Sequence, residues 1–106
     1  MELKDWIEAC MIDEIDEEDV IPFDFDGQSF AIYRTEDDEN YATDGFCTHE
    51  RVRLADGLVM GYTIECPKHN GRFDFTTGKA KRAPACENLK TYPVKVENGK
   101  IFININ

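Results

Sequence analysis

The chain has 106 residues, enough for one domain and too few for two independent hydrophobic cores. Its 22 acidic residues against 12 Lys and Arg give a formal net charge of -10, which argues against nucleic acid or an anionic membrane as partner. No stretch approaches the about 20 apolar residues of a membrane span, and the polar N-terminus lacks a signal-peptide pattern. We therefore expect a cytoplasmic protein.

Short runs of β-branched and aromatic residues, separated by turn signals, predict strands along much of the chain. Residues 23–33 are typical of a hairpin with an Asp-Gly turn at 26–27, and residues 92–104 of a second one with an Asn-Gly turn at 98–99. Both dipeptides tolerate the positive φ angles of a two-residue hairpin turn. The pattern predicts an all-β fold, a small antiparallel sandwich or barrel that carries a loop-built binding subdomain.

Residues 11–19 are the only predicted helical turn and form a mostly acidic, solvated run.

The middle of the chain differs from both ends. From 45 to 89 the alternation fades and Gly, Pro, Cys and His become frequent, which predicts irregular loops between strand groups. Residues 47–90 carry eight basic and five acidic side chains, so these loops are basic on an otherwise acidic body.

Two short motifs carry the chemistry of the sequence. Cys47 and His49 are separated by one residue, Cys66 and His69 by two, and these are the only histidines in the chain. Cysteines in a reducing compartment are more often metal ligands or free thiols than disulfides. Two thiolates and two imidazoles from two loops can close around a metal centre. The spacing differs from that of a zinc finger, although zinc in the same four ligands is the chemical alternative.

The unequal motifs resemble those of the Rieske iron–sulfur proteins, and within them the small soluble Rieske-type ferredoxins of bacterial ring-hydroxylating dioxygenase systems. Residues 41–49 are similar to the strand that enters the family's first ligand loop. Residues 66–74 are similar to its second ligand loop, and residues 83–84 to the proline loop that covers the cluster. The similarity extends to residues 6–10 at the first strand and 92–94 at the terminal hairpin.

The resemblance implies one [2Fe–2S] cluster, with Cys47 and Cys66 on the inner iron, His49 and His69 on the outer iron, and no catalytic residue. Two ferric irons, two sulfides, two thiolates and two neutral imidazoles sum to zero charge, whereas four thiolates would leave the oxidised centre negative. An electron enters a neutral centre more easily. The exchange of Cys for His therefore raises the reduction potential from about -400 mV to about -150 to +300 mV.

Several residues depart from the high-potential members of the family. Those members have a disulfide between the two ligand loops, and the matching positions here are Val52 and Lys68. They also place serine and tyrosine hydroxyls on the cluster sulfurs, where this chain has Gly71 and Phe73. Fewer hydrogen bonds to sulfur predict a low-potential member. Asn70 occupies a position that is usually glycine, and Asn is the residue best able to adopt a positive φ there.

Other side chains near the loops have simpler assignments. Cys10 and Cys86 have no histidine nearby and are expected to be small buried hydrophobic residues. A basic collar stands beside the ligand motifs and consists of Arg51, Lys68 and Arg72. Docking of a partner and simple solubilising charge explain this collar equally well.

The resemblance implies a single Rieske domain over residues 1–106, with the cluster-binding loops within about 45–89. Its expected function is to carry electrons from an NAD(P)H-dependent flavoprotein ferredoxin reductase to a terminal Rieske non-haem iron oxygenase, as a monomer that catalyses no reaction itself. The alternatives are a Rieske-like small subunit of a reductase complex and a structural zinc-binding interaction domain. An excised domain of a larger oxygenase is disfavoured by the start at Met1 and the terminal hairpin.

Overall fold

Antiparallel β-strands account for most of the structure, a computed structural model that describes residues 5–48, 51–68, 70–83 and 87–105. In chain order the strands are β1 (Trp6–Met11), β2 (Asp19–Phe25), β3 (Gln28–Arg34), β4 (Asn40–Asp44), β5 (Leu58–Met60), β6 (Thr63–Glu65), β7 (Arg72–Asp74), β8 (Lys79–Arg82), β9 (Thr91–Tyr92), β10 (Val94–Glu97) and β11 (Lys100–Asn104). Over the described ranges they form three sheets, with strand orders β1-β11-β10, β2-β3-β4-β9 and β5-β6-β7-β8. The predicted antiparallel all-β fold is confirmed, and the described strands form open sheets rather than a closed barrel.

Both predicted hairpins are present with the expected turns. Asp26 and Gly27 have φ angles of 54° and 80° between β2 and β3, and Asn98 and Gly99 have φ angles of 55° and 78° between β10 and β11. Two successive positive φ angles are the signature of the type I′ turn, whose twist matches that of the flanking strands. These turns fix the pairing register of the two hairpins.

The start of the second hairpin differs from the prediction. Tyr92 lies in β9, where it pairs with Ala42 of β4, and the register pairs of β10 with β11 begin at Val94. Proline has no N–H to donate to a sheet ladder, so Pro93 interrupts the strand where the chain passes from one sheet to another.

The middle of the chain contains more regular structure than the sequence predicts. Strands β5 to β8 form their own sheet, each strand three or four residues long, and residues Leu54–Asp56 form a second 3₁₀ turn besides the expected one, which spans Ile12–Glu14. The interpretation of the whole segment as irregular loops is therefore wrong, although Cys47 and Cys66 lie in loops outside its strands. Three residues are too few to show an alternating pattern, and short cross-strand pairing depends on partners that are distant in sequence. In the part of the chain that the structure describes, no helix has the length and apolarity to cross a membrane.

Strand β3 separates two hydrophobic clusters. Its residues Ala31 and Tyr33 face one cluster, and Phe30 and Ile32 face the other, because successive strand residues point to opposite sides. The first cluster, called the ligand-side cluster below, contains Val20, Ala31, Tyr33, Cys47, Leu54, Val59, Ile64, Cys66, Phe73, Phe75 and Leu89. The second, called the body cluster, contains Cys10, Ile15, Phe30, Ile32, Ala42, Tyr92, Ile101 and Ile103.

An aromatic stack joins β3 to the sheet that carries the second predicted ligand loop. The rings of Tyr33 and Phe75 lie 4.2 Å apart between centroids at an interplanar angle of 8°, and both side chains are fully buried. The Tyr33 hydroxyl is 2.9 Å from Oγ1 of Thr43, so its polar end is satisfied inside the core. Burial raises the pKa of this hydroxyl far above its usual value. The stack therefore fixes the orientation of the β5–β8 sheet against β3.

Phe75→Ala is expected to lower the free energy of unfolding by about 3–5 kcal/mol, because it removes a buried ring and leaves a cavity beside Tyr33. Urea titration of the purified protein measures this change. Phe25→Ala is the matched control, since Phe25 is 38% exposed, and it should cost about 1 kcal/mol or less. Equal losses in the two variants would show that the stack does not join the sheets.

Candidate functional site

The first predicted ligand loop is closed at its base by backbone pairing. Phe46 and Arg53 form an isolated antiparallel bridge, and inside it the Cys47 N–H donates to the carbonyl oxygen of Val52 at 3.0 Å. Cys47 is thus held at the first position of a tight loop, and its neighbour Phe46 is half-buried.

The second predicted loop is closed in the same way between β6 and β7. Glu65 and Arg72 are register partners, and inside them the Cys66 N–H donates to the carbonyl oxygen of Gly71 at 2.7 Å. Asn70 has a φ angle of 60°, which confirms the expected positive φ at this position. Asparagine adopts this left-handed conformation more readily than other residues with a side chain.

The two loops share one design. In each, the cysteine N–H donates to the carbonyl five positions later, and a cysteine begins the loop. The predicted histidine ligands, His49 and His69, lie within these loops in sequence but outside the described residues. The structure therefore describes the cysteine half of the predicted ligand set.

The structure brings the two cysteines together in the ligand-side cluster. Cys47 is 5% exposed, Cys66 is 1% exposed, and neither is in a disulfide with another described cysteine. The described residues contain no group of three or more His, Cys, Asp or Glu that could hold a metal ion, so a metal bound by these cysteines would take its other ligands from outside those residues. Two buried thiols from separate loops fit a centre whose inner side takes sulfur ligands and whose outer side takes other donors.

Residues after β8 brace the first loop. The Thr48 hydroxyl donates to the carbonyl oxygen of Glu87 at 2.7 Å, and the Leu89 N–H donates to the carbonyl oxygen of Gly78 at 2.7 Å. Gly78 has a φ angle of 84°, and a Cβ there would overlap the backbone oxygen of Leu89, so the position requires glycine. This role of Thr48 was not predicted from the sequence. Its position between the predicted ligands Cys47 and His49 is the feature that could have indicated it. Pro84, assigned to a loop that covers the cluster, lies outside the described residues.

Two arginines each lie over the ring of Phe46 beside the first loop. The guanidinium carbon of Arg51 is 4.5 Å from the ring centroid of Phe46, and that of Arg53 is 5.4 Å away. Arg53 also donates to both carboxylate oxygens of Asp24, at 3.2 and 3.3 Å. These hydrogen bonds lower the pKa of Asp24. The ion pair ties the first loop to the β2–β3 hairpin, a link that the sequence does not reveal.

The basic collar predicted from the sequence is only partly available for docking. The Nε and Nη2 atoms of Arg72 each lie 3.1 Å from Oε1 of Glu65, so this ion pair clamps the base of the second loop and offsets the charge of Arg72. Arg51 and Lys68 are exposed. Docking by the collar stays a prediction, and Arg72 has a structural role that sequence spacing alone did not indicate.

Of the two other cysteines, Cys10 is separate from this site. Cys10 lies in the body cluster, and burial, with a contribution from Glu14, raises the pKa of its thiol to about 11. A thiol with this pKa is almost entirely protonated at neutral pH, as expected for a packing residue. Cys86 lies outside the described residues.

Residues 5–93 match the protein family described as the Rieske [2Fe-2S] domain. The ferredoxin component of the naphthalene 1,2-dioxygenase system of Pseudomonas putida is 48% identical over 101 residues, which cover 95% of this chain and 96% of the relative. The solved ferredoxin of carbazole 1,9a-dioxygenase from Nocardioides aromaticivorans IC177 superposes with a TM-score of 0.90 at 28% identity, covering 95% of this chain and 98% of that one.

A second solved structure is a complex of reduced oxygenase and oxidized ferredoxin in carbazole 1,9a-dioxygenase. Its matching chain has a TM-score of 0.89 at 28% identity, with 95% of this chain and 94% of that chain covered. The family match spans most of the chain and includes both loops that present the buried cysteines. The chain belongs to the Rieske [2Fe–2S] family.

Proposed function

We propose that the chain is the ferredoxin of an aromatic-ring dioxygenase system and carries single electrons to the oxygenase. The observation that carries this proposal is the pair of equivalent loops that bury Cys47 and Cys66 in one apolar cluster. The near-complete match to ferredoxin components of dioxygenase systems supports it, since these relatives are carriers rather than oxygenases. The chain is accordingly an electron-transfer component, with no catalytic residue assigned.

The proposed ligands of the [2Fe–2S] cluster are Cys47, His49, Cys66 and His69. When bound, the cluster takes up and releases one electron at a time. The two cysteines fit its buried side, because both are enclosed by apolar neighbours and both belong to loops with closed bases. The histidines complete a set of two sulfur and two nitrogen donors, the ligand set of Rieske centres.

The protein around the cysteines keeps water away from the sulfur atoms. Leu54 and Phe73 are fully buried in the same cluster, and neither side chain offers a polar atom. Backbone closure holds the cysteine N–H groups on the carbonyl oxygens of Val52 and Gly71, so these donors are already used within the loops. The chain's own contribution is therefore a dry, rigid setting for two thiolates.

The same residues support a low reduction potential. Phe73 is fully buried and Gly71 is buried, and neither supplies a side-chain hydroxyl that donates to a cluster sulfur. Fewer donors leave more negative charge on the reduced centre and lower its potential. A low potential suits a carrier placed between a reduced nicotinamide and an oxygenase.

The proposed partners are a flavoprotein ferredoxin reductase, which supplies the electron, and a terminal Rieske non-haem iron oxygenase, which receives it. The solved complex of an oxygenase with a similar ferredoxin supports the second partner. We place the protein in the cytoplasm, where reduced nicotinamide cofactors are available, as a monomeric single domain over residues 1–106. The cluster-binding loops lie within about 45–89.

Metal and sulfide analysis of the purified protein is expected to give two irons and two acid-labile sulfides per chain. Cys66→Ala should abolish the red-brown colour and the reduced-state EPR signal, because the cluster loses a buried thiolate. Cys10→Ala is the control and should keep both, since Cys10 lies in the body cluster. One zinc per chain with no sulfide would instead establish the structural zinc domain.

The wild-type reduction potential is expected near the low end of the Rieske range, at about -150 mV, measured by protein-film voltammetry. Phe73→Tyr should raise the potential if its hydroxyl reaches a cluster sulfur, because the new hydrogen bond stabilises the reduced state. Phe25→Tyr adds the same hydroxyl at an exposed position and should leave the potential unchanged. A wild-type value well above 0 mV would contradict the low-potential assignment.

A further inference from the structure

Strand β8 carries unneutralised positive charge beside the second ligand loop. It is an edge strand of the β5–β8 sheet, and Lys79, Lys81 and Arg82 are all exposed on it. Within the described ranges none of these three side chains is in an ion pair. Lys79 stands opposite Asp74 in the register, so the uncompensated charge is that of Lys81 and Arg82.

The register places these two cations at the end of the sheet next to Cys66, called the cluster end below because the proposed [2Fe–2S] cluster lies there. Arg82 pairs with Arg72, and Arg72 pairs with Glu65, the residue that precedes Cys66. Neighbouring strands lie about 4.8 Å apart, so the backbone of Arg82 is about 10 Å from that of Glu65. Lys81 is the extra residue of a bulge, because the register shifts between Arg72 and Phe73.

The first ligand loop is connected to the same strand. Thr48 donates to the carbonyl of Glu87, and the side chain of the next residue, Asn88, accepts the Ala80 N–H of β8 at 2.9 Å. Strand β8 is therefore hydrogen-bonded to the segment 87–88, which contacts the first ligand loop. Its partner strand β7 directly follows the second ligand loop.

Local charge at this end opposes the charge of the whole protein. The chain carries a net charge of -10. Among the cations of the ligand loops and their bases, Arg53 is offset by Asp24 and Arg72 by Glu65, whereas Arg51 and Lys68 are exposed. Lys81 and Arg82 have no such partner among the described residues. Protection of an exposed sheet edge is an alternative reason for charge on β8, but it requires charge of either sign. A uniformly positive strand in an acidic protein points to a specific electrostatic function.

We propose that Lys81 and Arg82 make the cluster end of the protein electropositive and dock an acidic surface of its redox partner. This inference rests on the proposed electron-transfer function and adds the chemistry of the partner surface. An acidic partner would be repelled by the body of the protein and attracted at β8, so it would approach with the cluster end foremost.

Small charged oxidants test the local potential without a protein partner. Stopped-flow spectroscopy measures oxidation of the reduced protein by ferricyanide and by tris(1,10-phenanthroline)cobalt(III), from about 0.01 M to about 1 M salt. Over this range the screening length falls from about 30 Å to about 3 Å. We expect the ferricyanide rate to fall as salt rises and the cobalt rate to increase, because the anion is attracted at the exchange site. If the net charge dominated, both trends would be reversed.

Charge reversal identifies the residues responsible. The double variant Lys81→Glu with Arg82→Glu should slow ferricyanide oxidation about tenfold at about 0.01 M salt. Lys95→Glu with Lys100→Glu makes the same change in net charge on β10 and β11 and should have a much smaller effect. The Lys81→Glu, Arg82→Glu variant keeps charged side chains on the edge strand β8. If these residues only protect the sheet edge, the two double variants should therefore react with ferricyanide at equal rates.

A second readout does not depend on electron transfer. The paramagnetic anion hexacyanochromate(III) should broaden the amide NMR signals of β8 in the wild-type protein more than those of β11, and this preference should disappear in the Lys81→Glu, Arg82→Glu variant. A ferricyanide rate that rises with salt, or broadening without preference for β8, would overturn the inference. Loss of the visible spectrum of the cluster in the wild-type protein would instead contradict the proposed function.

Discussion

Burial of two cysteine sulfurs from different loops in one apolar cluster is the constraint on which the rest of the structure depends. Cys47 and Cys66 are enclosed together with Leu54 and Phe73. An ionised thiolate in such surroundings is unfavourable unless a cation neutralises it, because desolvation penalises the charge. If these cysteines hold the proposed cluster, metal binding contributes to the folding free energy of both loops. The backbone closure at the base of each loop fixes the position of its cysteine.

Strand β3 explains how a chain of this length supports such a site. Its alternating side chains contribute to both hydrophobic clusters, so one strand serves as the common wall of the body and of the ligand side. The stack of Tyr33 on Phe75 then fixes the β5–β8 sheet against that wall. Rigid attachment suits an electron carrier, because small structural change on gaining or losing an electron favours fast transfer.

Ion pairs between side chains, rather than the number of charged residues in a segment, determine where net charge remains on the surface. Counting charges along the sequence makes the ligand-loop segment basic, yet Asp24 offsets Arg53 and Glu65 offsets Arg72. Both ion pairs also join structural units: the first links a hairpin to the first loop, and the second closes the base of the other loop. Besides the exposed Arg51 and Lys68 of the loops, positive charge at this end lies on β8, a strand whose position in the sheet was not expected from the sequence.

The sequence by itself determined the family, the cysteine and histidine motifs, the two hairpins and the positive φ of Asn70. Each of these depends on a few adjacent residues, such as a turn dipeptide whose φ preferences are local. Only the tertiary structure decided that residues 45–89 contain a four-stranded sheet, that Pro93 divides the first strand of the second predicted hairpin, and that Arg72 is bound to Glu65. Strands of three residues have little intrinsic preference, and an ion pair requires two side chains that folding brings together. The physical reason is the sequence separation of the interacting residues. Local backbone preferences are encoded in neighbouring residues, whereas cross-strand contacts arise only when distant segments pack.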